Sequence, residues 1–81
     1  MVNYKSLICW LMNNTRINND CSISNRELVK SFLIDYPEFK LYNNRLSFKV
    51  GQIINLLYGD DLFAERGGGS TYYNIMLLKD E

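Results

Sequence analysis

The chain is 81 residues long, 47% hydrophobic and 14% aromatic, with nine basic residues, nine acidic residues and no histidine. The length sets a single domain over residues 1–81, and the apolar content excludes a disordered chain. A formal net charge of zero excludes a uniformly basic nucleic-acid binder, so a basic patch here requires segregated charge.

Tyr4, Leu7, Ile8, Leu11 and Met12 recur at i, i+3, i+4, i+7 and i+8. This spacing predicts a helix from Asn3 to about Asn14 with that face inward, and Cys9 and Trp10 widen the apolar stripe. Cys9 and Cys21 read as free, buried, small hydrophobes in a reducing compartment, because two thiols without histidine make no zinc site. Leu7–Met12 is followed by Asn13-Asn14 and by no small-residue cleavage site, unlike a signal peptide. No run approaches the roughly 20 apolar residues of a membrane span. The expected setting is intracellular, in the cytoplasm of a bacterium or infected host cell, or in a nucleus, with no membrane association.

The polar run from Asn13 to Asp20 ends the first helix, and Ile23 between two serines reads as a short extended segment. Ser24-Asn25-Arg26-Glu27 matches a Ser-x-x-Glu capping box ahead of an apolar run. It opens a second helix from Asn25 to about Ile34 that buries Leu28, Val29 and Phe32. Tyr36-Pro37 stops it, since the residue before proline is pushed out of the helical region. Phe39 to Leu46 reads as irregular, with Asn43-Asn44 as a turn.

Ser47 is the expected cap of a third helix, with Val50, Ile53, Ile54 and Leu57 on its inner face and Gly59 at its C-terminal cap. Arg45, Lys49, Gln52, Asn55 and Leu56 fall on the opposite side. Leu62-Phe63-Ala64 and Thr71 to Leu77 are strand-like, joined through Gly67-Gly68-Gly69-Ser70 as an antiparallel hairpin. The order of helix, short strand, helix, helix, strand, hairpin loop and strand gives an α+β chain. It reads as a winged helix-turn-helix.

SFKVGQIINLLYG, followed by RGGGSTYYNIMLL, resembles the recognition helix and wing of the regulatory factor X family. It is also similar to the C-terminal domain of phage, plasmid and poxvirus-type primase-helicases. The likeness covers Ser47 to Leu78. It rests on Phe48 opening the third helix, and on Arg66-Gly67, Gly68–Thr71 and Tyr72-Tyr73-Asn74-Ile75 in the wing. The resemblance implies a DNA-binding module that in some members reads DNA through the wing as much as through the helix.

The glycine run is not a phosphate-binding loop, because no lysine follows and a strand comes next. It reads as a hairpin tip that needs positive φ angles. Gln52 and Asn55 have the chemistry to pair with adenine, and Lys49 with guanine or phosphate. Arg66 at the wing's base suits a minor groove or a phosphate, with Arg45 and Lys40 as further phosphate contacts. Tyr72 and Tyr73 alternate along their strand, with Tyr73 expected inside and Tyr72 outside. The expected DNA-binding set is therefore Arg45, Lys49, Gln52, Asn55, Arg66, Gly67, Gly68, Gly69, Ser70 and Tyr72.

Trp10, Phe32 and Phe63 are expected in the core. Asp60-Asp61 reads as a solvated turn, and Asp80-Glu81 as a second acidic cluster. Without histidine, tuned carboxylates or a nucleophile beside a base, no enzyme is expected, and no cofactor, metal or small-molecule ligand. The expected function is that of a small phage- or viral-type regulator of transcription or replication, with double-stranded DNA as partner. Such a module is expected alone or as the terminal part of a replication protein, with a homodimer or a larger replication or transcription protein as further partner. The alternative is a protein-interaction or homodimerisation module without direct DNA contact. Zero net charge, Leu56, the tyrosine-rich wing and the Leu41-Tyr42 pair suit that alternative.

Overall fold

The first helix is set by what its aromatic residue finds. In a computed structural model, which describes residues 3–78, helix α1 spans Lys5–Asn14. Leu7, Trp10 and Leu11 are its buried residues, whereas Ile8, Met12 and Cys9 are exposed. The inner face is thus turned from the one expected, and Cys9 is not a buried thiol. Trp10 accounts for the turn. Its ring meets Phe32 edge to face at 5.7 Å, and its Nε1–H donates to the Asp35 carboxylate at 2.7 Å.

After strand β1 (Thr15–Ile17), strand β2 (Ile23–Ser24) leads into helix α2 (Asn25–Asp35). The capping box forms as expected. Ser24 Oγ accepts from the Glu27 amide at 3.2 Å, and Glu27 Oε1 accepts from the Ser24 amide at 3.2 Å. Two donors that the helix start would leave unpaired are satisfied together. The chain does not then become irregular. Pro37–Tyr42 forms a 3₁₀ helix, and helix α3 runs from Asn43 to Tyr58. Asn43-Asn44 therefore opens a helix instead of making a turn, Ser47 lies within α3 instead of capping it, and Phe48 does not open it. The continuity has a packing cause: Phe39 meets Phe32 at 5.2 Å and Tyr42 at 6.5 Å, so the segment is held as an aromatic ledge. Gly59 caps α3 with φ 54°, a conformation suited to glycine.

Strands β3 (Ala64–Gly67), β4 (Ser70–Tyr73) and β5 (Ile75–Leu77) complete the chain. β2, β4 and β3 form an antiparallel sheet in the order β2-β4-β3, while β1 pairs with β5. Gly67 pairs with Ser70, so the hairpin turn is only Gly68-Gly69, not the four-residue loop expected. Both turn residues have positive φ, 57° and 80°, as a type I′ turn demands. Asn74 breaks the strand expected to run unbroken from Thr71 to Leu77.

The core lies where the three helices meet the sheet. Leu7, Leu28, Phe32, Leu46, Val50, Ile54 and Ile75 are fully buried there. Phe63 is not among them: it is 68% exposed, because it precedes β3 at the rim, where its backbone is tied to Asn74. Its amide donates to Asn74 Oδ1 at 2.7 Å, and its carbonyl accepts from the Asn74 amide at 3.4 Å. The Asp80-Glu81 cluster lies outside the described residues.

Candidate functional site

Strand alternation sorts the hairpin into two faces. Arg66 pairs with Thr71 and Ala64 with Tyr73, whereas Glu65 pairs with Tyr72 and Gly67 with Ser70. Residues directly opposite share a face. Arg66, Thr71 and Tyr73 therefore look toward the middle of α3, and Tyr72 and Ser70 toward α2 and the first turns of α3.

On the α3 side a groove of about 350 Å³ opens between helix and hairpin. Gln52, Asn55 and Phe48 line it from α3, and Arg66, Gly69 and Thr71 from the hairpin. Arg66 is the charged residue of this lining. Three amides (Asn25, Gln52 and Asn55), a guanidinium and hydroxyls can donate to a polyanionic ligand there, with no carboxylate opposing it. Tyr73 is buried at the groove's base. Burial raises its phenol pKa above the ordinary value of 10.0, against a lowering by the Thr71 side-chain hydrogen bond and by the charge of Arg66.

The other expected residues separate. Lys49 lies on the α1 side of α3, its Nζ 5.1 Å from the centre of the Tyr4 ring, and lines a second groove with Gln52 and Asn55. Asn55 Nδ2 donates to the Gly51 carbonyl at 2.8 Å, which ties that amide to its own helix. Gly68, Ser70 and Tyr72 line a third and larger cleft, of about 790 Å³, between the hairpin, α2 and the first turns of α3. Arg45 sits exposed in the first turn of α3, and Gly67 is exposed in β3. Tyr72 outside and Tyr73 inside is the alternation expected. Asp60 and Asp61 form an exposed 3₁₀ turn after Gly59, as expected.

Three residues in and around the site escaped notice in the sequence, two of them in a cleft and one behind the hairpin. Arg26 and Lys30 line the third cleft from α2, and their four-residue spacing on one helix face was the available signal. Asn74 is the other. Its side chain accepts from the Phe63 amide and donates to Asn19 Oδ1 at 2.7 Å and to the Asp61 carbonyl at 3.0 Å. A polar residue inside Tyr-Tyr-Asn-Ile-Met-Leu was its signature.

Among the described residues no three His, Cys, Asp or Glu side chains gather to hold a metal ion, and no helix is long and apolar enough to cross a membrane. Comparison with protein-family models, curated proteins and solved structures returns no match for this chain.

Proposed function

We infer that the chain is a small winged-helix module that binds double-stranded DNA through α3 and the β3–β4 hairpin. The observation that carries this is the groove between those two elements, with Arg66, Gln52 and Asn55 on its walls and no carboxylate. A chain with as many acids as bases keeps its acids off this face. α3 spans Asn43–Tyr58 without one acidic residue. At roughly 1.5 Å per residue it is about 24 Å long, enough to follow a major groove about 12 Å wide. The strand order β2-β4-β3 behind α2 and α3 suits the winged arrangement. Gln52 then faces base edges, and Asn55 offers beside it only the amide groups that its bond to Gly51 leaves unused. Arg66 and the backbone of the glycine turn meet phosphate or the neighbouring groove. This suits an intracellular regulator of transcription or replication of phage or viral type, with no catalytic step assigned to it.

A gel-shift titration with random-sequence duplex DNA tests the assignment. Affinity falls steeply between about 50 and 200 mM salt, and Arg66→Ala weakens binding about tenfold. No shift at low salt, or a shift indifferent to both Arg66 and Lys49, removes the DNA assignment. A second reading, a protein-interaction module without DNA contact, is favoured by Phe48 and Leu56, which stand exposed on α3.

A further inference from the structure

Beside Lys5 and Asn13, the solvent side of α1 carries apolar residues where a monomer's helix is ordinarily polar. Ile8, Cys9 and Met12 are all exposed there. Across from them on α3, Leu56 is 85% exposed. Between the two helices runs a groove of about 580 Å³, walled by Tyr4, Ile8, Lys49 and Leu56 and floored by the buried Ile53. Contiguous exposed apolar surface of this kind marks a docking site.

Charge identifies the occupant. The charged residues of α1 and α3 are Lys5, Arg45 and Lys49, and neither helix carries an acid. Lys49 is held at the groove wall over the Tyr4 ring. A second copy docking here by the same two helices would set these cations against their own counterparts, with no carboxylate to offset them. A flat lipid surface would reach Met12 and Leu56 on the ridges without filling the groove between them. We propose that the α1–α3 groove takes an acidic amphipathic helix from another protein, its apolar side chains between Ile8 and Leu56 and its carboxylates against Lys49 and Lys5.

The docking does not rest on the DNA assignment, but one consequence does. Gln52 and Asn55 line both this groove and the one beside the hairpin, so a helix seated here excludes duplex DNA from α3.

A fluorescein-labelled peptide of about 18 residues, with leucines at helical spacing and glutamates on both flanks, is the probe. Its counterpart has lysine in place of each glutamate. Anisotropy is expected to show binding of the acidic peptide and at least about tenfold weaker binding of the basic one. Leu56→Glu and Ile8→Glu each weaken the acidic peptide about tenfold or more. Circular dichroism of both variants stays that of the wild type, since each residue is already exposed. No binding at about 0.5 mM, equal binding of the two peptides, or binding unchanged in both variants overturns the proposal. So does capture by anionic phosphatidylglycerol vesicles without capture by the acidic peptide. If the peptide binds and duplex DNA shifts but the two do not compete, mutual exclusion fails and the docking site stands. If DNA never shifts while the peptide binds, the DNA assignment alone falls.

Discussion

The Tyr73 hydroxyl lies 3.1 Å from the point that a Cβ on Gly51 would occupy. Gly51 sits inside α3, where glycine costs roughly 1 kcal/mol relative to alanine. The missing methyl leaves room for the buried phenol at the base of the hairpin groove. Gly51→Ala should therefore leave stability nearly unchanged, its helix-propensity gain offset by crowding of Tyr73. With Tyr73→Phe in the background, the same change should stabilise by about 1 kcal/mol. Urea unfolding of the four proteins measures the coupling, and identical effects in both backgrounds would refute it.

Tyr73 also predicts an alkaline limit. Burial raises its folded-state pKa above 10.0, with Thr71 and Arg66 opposing, so the fold favours the neutral phenol. That contribution is fully present below the unfolded pKa and is lost as pH climbs through the raised folded value. Melting temperature should hold from pH 7 to 9 and then fall. Tyr73→Phe should fall less steeply over the same alkaline range, and parallel profiles would count against this role.

Asn74 joins three segments at once, tying Phe63, Asp61 and Asn19 around the β4–β5 break. Asn74→Ala removes the partner of the part-buried Phe63 amide and Asp61 carbonyl, which water then reaches only in part, at a cost of about 1–2 kcal/mol. Asn74→Asp keeps the acceptor for Phe63 but turns a carboxylate oxygen toward two other oxygens. It should be at least as damaging at pH 7 by chemical denaturation. Amide exchange in β3 should accelerate in both variants; unchanged exchange would mean that Asn74 does not position the hairpin.

Thr15 has no exposure, and its hydroxyl donates to the Leu11 carbonyl at 2.6 Å. Its single proton is thereby used, so the 2.5 Å contact with Tyr58 has the tyrosine as donor. Thr15→Val strands that phenol and should cost about 1–2 kcal/mol, whereas Thr15→Val with Tyr58→Phe should recover most of the loss. Equal stability of the single and double variants would discount the bond.

Local chemistry made much of this legible. The capping box, the proline stop, the glycine cap and the tyrosine alternation each depend on residues a few positions apart. What could not be read depends on distant partners. The rotation of α1 follows from Trp10 meeting Asp35, 25 positions away. β1 is three residues in an asparagine-rich stretch, and it is a strand only because β5 pairs with it. α3 begins early without a side-chain cap, so no cap residue marked its start. For the site, the outward residues of α3 were evident, yet their division between two grooves depends on where the hairpin sits.

The two-glycine turn also settles what the hairpin's outer edge offers. In a two-residue hairpin the closing pair, Gly67 and Ser70, exchanges backbone hydrogen bonds, and Glu65 with Tyr72 does the same one repeat further. The backbone groups of Ala64 and Arg66 are then the ones left pointing outward along the free side of β3. A copy adding antiparallel there must match outward residues with outward residues. Registers centred on the hairpin's charged pair set Glu65 against Glu65 of the second copy, or Arg66 against its counterpart, and like charges directly opposite are unfavourable. A four-residue strand left bare to solvent is thus guarded against growing into a shared sheet.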